Sequence, residues 1–297
     1  MMPIRESQIH LFHKVDREVF CCLLLKLSLE PSQCLLIMSL WLWLENVGYP
    51  NVVPQLVGLS SPLLNAVAKE AQACLKCLEE DNPRIPKGGG LPLTSTLIEK
   101  DISLQLFHLK RFTAIAGIKS VLNNVSVRIF SDILHNVLSI NNNGAVRSGF
   151  GPGPGTNGSL SIPGFPHPVF GNVTVPPLSH DLPVELWWYD DLDDNVSWSS
   201  RPSDDVRDED KTMFLTFSRG FPVTEEEVLH LFTTNFGDSS VRVINMGEPD
   251  AANEQPLFAT MVLDSVATVD EILMGKRIAK FKINGKHIWA RKYENRV

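Results

Sequence analysis

The sequence predicts an α+β chain with two structured parts, an all-helical N-terminal part and a C-terminal part of β-α-β-β-α-β order. Three observations predict it. Apolar residues recur three and four apart through most of residues 1–138, the signature of amphipathic helices. A stretch rich in Gly, Pro and Asn then breaks all periodicity. Residues 210–295 finally alternate short strand-like runs with two helical ones.

The helical part can be justified element by element. In "SSPLLNAVAKEAQACLKCLEE" a serine precedes Pro62, which suits the first turn of a helix because proline lacks the N–H that is unpaired there anyway. Glu30-Pro31 plays the same role ahead of "CLLIMSLWLWL", Cys34 to Leu44. That run is well short of the ~20 apolar residues a membrane span needs. It predicts a helix buried on nearly all sides, and no membrane association. Lys87-Gly88-Gly89-Gly90 interrupts the pattern, so residues 1–138 divide into two subdomains near residues 84–94 or fold as one. "SLQLFHLKRFTAIAGIKSVLNNVSVRIFSDILHNVL" then resumes the helical spacing.

Residues 139–209 read as a disordered linker. Its first part, containing "NNNGAVRSGFGPGPGTNGSLSIPGFPHPVFGNV", has the composition of a flexible coil. Its second part, "ELWWYDDLDDNVSWSSRPSDDVRDED", interleaves acids with Trp187, Trp188, Tyr189 and Trp198 and reads as an acidic tether.

Composition excludes several function classes. The 297 residues are 43% hydrophobic and 21% charged, enough apolar material for real cores. A net charge of −7 argues against a protein that coats nucleic acid by charge alone. The five cysteines, Cys21, Cys22, Cys34, Cys74 and Cys77, are odd in number and sit in apolar runs. They predict reduced thiols and an intracellular setting, nuclear or cytoplasmic, and the opening residues lack the apolar run of a secretion signal. Cys74-x-x-Cys77 has no second ligand pair, so no metal is expected. The eight histidines are scattered without a partner at triad or ligand spacing, and no Gly-Lys-Ser/Thr follows Gly88–Gly90. No catalysis and no cofactor are therefore expected.

The C-terminal part carries the most information. "KTMFLTFSRGF" alternates as a strand, and "VTEEEVLHLFTTNFG" follows as a helix whose Thr224 and Glu227 form a capping box. Val228, Leu231, Phe232 and Phe236 share one face of it. "SVRVINMG" and "PLFATMVLD" are two more strands, "SVATVDEILMG" a second helix, and "FKINGKHIWARKY" two short strands about Asn284-Gly285, a strong hairpin signal. The order is that of a ferredoxin-like unit.

These residues resemble the RNA-recognition motif (RRM) family. "MFLTFS", Met213 to Ser218, sits where the family has its six-residue first-strand motif, with Phe214 in the aromatic slot. "PLFATMVL", Pro256 to Leu263, sits at the eight-residue third-strand motif. There Pro256, Leu257 and Thr260 replace the basic residue, the glycine and the second aromatic, and Phe258 keeps the first aromatic. The whole chain is also similar to plant proteins that join a helical N-terminal region to one divergent RRM. The resemblance implies stacking of two bases on the sheet face that the helices leave open.

Strand alternation assigns the faces. Met213, Leu215, Ala259, Met261 and Leu263 point to the helices, while Phe214, Thr216, Phe258 and Thr260 face outward. In the last strand Ile288 and Ala290 point inward, leaving Trp289, Arg291 and Tyr293 on the open face with Lys292 nearby to hold phosphate. Residues 276–296 contain eight Lys/Arg and one acid, a one-sided basic patch beside exposed aromatics. The expected role is a non-enzymatic adaptor that binds short single-stranded RNA through this face and a protein partner through the helical region. The alternative is a protein-interaction module whose sheet no longer binds RNA. The acidic tether, Asp190 to Asp210, is expected to compete with RNA for the basic face.

Overall fold

Apolar runs that no charge interrupts fold here as buried helices, and strictly alternating ones fold as a single antiparallel sheet. The computed structural model describes residues 6–145, 160–175, 206–248 and 255–294. It is a mixed helix-and-sheet protein with a helical N-terminal region and a C-terminal antiparallel five-stranded sheet. Among the described residues, 6–79, 85–104, 117–145 and 160–175 form one unit, and 80–84, 105–116, 206–248 and 255–294 form a second. The helical stretch of the sequence is thus shared, with residues 105–116 belonging to the sheet's unit.

In the first unit the helices are α1 (Glu6–Phe12), α2 (Lys14–Cys21), α3 (Pro31–Asn46), α4 (Val52–Leu56), α5 (Ser61–Glu79) and α6 (Pro92–Ile98). α7 (Leu104–Leu109) and α8 (Arg111–Val121) contribute to both units, and α9 (Val127–Ile129) and α10 (Ser131–Ala145) return to the first. Every residue from Cys34 to Leu44 in α3 is buried, as its uninterrupted apolar run requires. No helix of the described residues is long and apolar enough to cross a membrane. Phe20 stacks on Phe130 with ring centroids 4.0 Å apart, and Arg17 forks onto both oxygens of Asp132 at 2.8 and 2.7 Å. All five cysteines are free thiols, and Cys74 and Cys77 lie buried in α5. No cluster of metal-ligating residues occurs among the described residues.

The linker expected over residues 139–209 is corrected in part. α10 continues through Ala145, and residues 160–175 fold back as a two-stranded ladder, β1 (Leu160–Ser161) and β2 (Thr174–Val175). Ile162, Phe170, Val173 and Val175 are at most 2% exposed and anchor it. Four apolar residues can bury a short segment that Gly and Pro would otherwise leave loose, and an average over composition hides them. The acidic, Trp-rich stretch up to residue 205 lies outside the described residues.

The second unit contains a short helix α11 (Asp208–Lys211), then β3 (Thr212–Phe217), α12 (Glu225–Phe236), β4 (Val241–Met246), β5 (Phe258–Leu263), α13 (Val266–Leu273), β6 (Ile278–Ile283) and β7 (Lys286–Lys292). The strands lie in the order β4-β5-β3-β7-β6, all antiparallel. Thr224 and Glu227 form the expected capping box on α12, and Ser265 caps α13. Asn284 and Gly285 both adopt positive φ, at 49° and 81°, the requirement of a tight hairpin turn joining β6 to β7. Met213, Leu215, Ala259, Met261, Leu263, Ile288 and Ala290 pack with Val228, Phe232, Val269 and Ile272 into one core, joined by Phe112 from α8.

α13 is buried nearly all round, with Glu271 its one exposed residue between Val266 and Leu273. One side faces the sheet. The other meets residues 108–113: His108 lies against Gly275, and Asp270 accepts hydrogen bonds from the Phe112 N–H at 2.9 Å, the Thr113 N–H at 2.9 Å and the Thr113 hydroxyl at 2.7 Å. Asp270 thereby caps the first turn of α8, satisfying donors that the helix itself cannot.

Candidate nucleic-acid interface

The face of the sheet away from α12 and α13 is assembled by register. Across one row Trp289 of β7, Thr216 of β3 and Phe258 of β5 are neighbours. In the next row Arg291, Phe214, Thr260 and Asn245 of β4 are neighbours. Along the edge, Lys280 pairs with Trp289 and Lys282 with His287. Because alternate residues of a strand share a face, these side chains stand together. None of these outward positions carries a carboxylate.

Phe214 and Phe258 stack with centroids 5.6 Å apart and planes 15° from parallel. Phe258 remains 42% exposed, whereas Phe214 is half-buried. The Arg291 guanidinium lies over the Phe214 ring, 4.6 Å from its centroid, a cation–π contact. Trp289 is half-buried with His287 beside it, ring centroids 6.1 Å apart. Thr216, Thr260 and Tyr293 are half-buried, and the Tyr293 N–H closes onto the Thr212 carbonyl at 3.0 Å.

Lys292 corrects one expectation. It follows Arg291 in sequence, so the pleat sends it to the opposite face. Its ammonium donates to the Glu209 carbonyl at 2.5 Å and the Thr212 carbonyl at 3.2 Å, pinning the start of β3 rather than waiting for phosphate. Lys286, on that same face, is held by both oxygens of Glu227 at 2.8 and 2.7 Å. That ammonium, helped by Asn284 and the Thr224 N–H, pulls the Glu227 carboxyl down to about 2. The basic patch of the sequence therefore divides: Lys280, Lys282 and Arg291 stand on the open face, and Lys286 and Lys292 do structural work behind it.

Two features lay beyond sequence reasoning. Gly247 sits against the tip of the Phe258 ring, where a Cβ would come within 2.7 Å of Cζ, so any larger residue forces that ring to shift. Nothing in "VINMGEPD" announces this. The pairing of β6 with β7 puts Lys280 and Lys282 beside Trp289 and His287 on the open face, and neither of the two family motifs reaches these strands. No protein-family model, curated protein or solved structure matches the chain.

Proposed function

We propose that the chain is a non-enzymatic adaptor whose second unit is an RRM-type module binding short single-stranded RNA through the open sheet face. The observation that carries this reading is a carboxylate-free face on which Phe214, Phe258 and Trp289 stand beside Arg291, Lys280 and Lys282. Aromatic rings offer bases a stacking surface irrespective of sequence, and the cations offer phosphates a counter-charge. The strand order and the two helices on the other face support the RRM reading. Coverage of α13 by residues 108–113 supports the sheet face as the site, since part of the helical face is already occupied by the chain itself.

In this proposal the helical first unit contacts a protein partner. Leu11, Phe12 and Leu25 support it, being 74%, 61% and 69% exposed near the start of the chain. A second reading assigns the sheet face to a protein ligand, favoured by Ile278 and Val243, which are exposed apolar residues on the same face. Titration of the full chain against single-stranded RNA of about 10 nucleotides, followed by anisotropy, separates the two. RNA binding is expected, weakened by salt, and lowered at least roughly tenfold in the Phe258→Ala/Trp289→Ala double variant. Absence of binding at low salt, or a double variant that binds like the parent, contradicts the RNA reading.

A further inference from the structure

We infer that the base-stacking position of this face is displaced to its β6–β7 side, onto Trp289, with Lys280 and Lys282 holding the adjoining phosphates. The inference rests on the RNA reading and states where on the face the strand lies. Phe214 is the aromatic of the central strand, yet its ring is already engaged from both neighbouring strands. Arg291 of β7 lies over it at 4.6 Å, and Phe258 of β5 stacks on it at 5.6 Å. A base reaching Phe214 must first displace a cation–π contact. Thr260 in the same row offers no ring at all.

The neighbouring row is arranged differently. Trp289 has the small Thr216 on one side and the flexible Lys280 on the other, so no second bulky ring crowds it across the strands. His287 beside it, tilted by 33°, extends the aromatic surface along β7. Lys280 and Lys282 are exposed on the same face of the edge strand, about 7 Å apart along it. That spacing is close to the step between successive phosphates of an extended single strand. β6 matters to the site because it makes β7 an interior strand, so that Trp289 has cations on its outer side instead of solvent.

The test uses the full chain and a fluorescein-labelled single-stranded RNA of mixed sequence, about 10 nucleotides long, titrated over a KCl series. Trp289→Ala is expected to lower affinity roughly tenfold without changing the salt slope, since stacking releases no counterions, and Trp289→Phe to restore most of it. Lys280→Ala/Lys282→Ala is expected to reduce the slope of log K against log salt by about 1.4, about 0.7 per lost phosphate contact. Phe214→Leu, which keeps apolar volume and removes the ring, is expected to lower affinity by less than Trp289→Ala does, with circular dichroism melts verifying the fold of each variant. Binding that is lost with Phe214→Leu and unaffected by Trp289→Ala overturns the displaced site while leaving RNA binding intact. An unchanged salt slope in the lysine variant also overturns it, and assigns those lysines to guarding the edge strand from pairing. Absence of any RNA binding at low salt overturns this inference and the functional reading together.

Discussion

Asp270 is 3% exposed, and three donors from the start of α8 converge on its carboxylate. Burial pushes its carboxyl up to about 6, against the opposing pull of the Thr113 hydroxyl, the two N–H groups and the Lys110 ammonium. A carboxyl whose folded value is raised holds its proton more tightly in the native state. Its contribution to stability is therefore full below about 4 and lost as pH rises through about 6, at most about 3 kcal/mol. Urea unfolding of the second unit across this window should show that decline, and Asp270→Asn should flatten it. Asp270→Ala should cost about 1–3 kcal/mol at neutral pH, because the Phe112 and Thr113 N–H groups lose their acceptor. A variant as stable as the parent would mean water replaces the cap. Glu227 works in the opposite sense, its benefit disappearing as pH falls from about 4.5 toward about 2.

Elements differed in how plainly their residues announced them. The capping box of α12, the Asn284-Gly285 turn and the inward set from Met213 to Ala290 were legible because each rests on contacts near in sequence or on strand parity. The three outward aromatics were legible for the same reason. Lys292 was misplaced because charge was read by proximity in sequence instead of by pleat. The ladder of β1 and β2 was missed because its anchors, Ile162, Phe170 and Val175, are spaced by no regular period. In α13, "VATVDEIL" has an apolar stripe that announces the side toward the sheet but not the covering of a second side. Nothing nearby in sequence named Thr113, 157 residues away, as the partner of Asp270.

At the scale of the whole molecule, the sheet's unit is not the last third of the chain alone. Residues 105–116 supply Phe112 to its core and the helix start that Asp270 caps. A fragment beginning at residue 208 would expose one side of α13 and leave Asp270 without its donors. Such a fragment should melt well below the second unit of the full chain and be cut faster by protease. Equal melting temperatures would show that residues 105–116 add little. Functional experiments therefore belong on the full chain, in which α13 keeps both of its neighbours.

The central claim is that RNA lies on the open sheet face, and ultraviolet crosslinking of the full chain to single-stranded RNA, read by peptide mass spectrometry, tests it most directly. Crosslinks should fall on outward residues of β3, β5 and β7, with Trp289 among them and Phe258 beside it. Crosslinks confined to the helical first unit, or to the α12–α13 side of the sheet, would contradict the account.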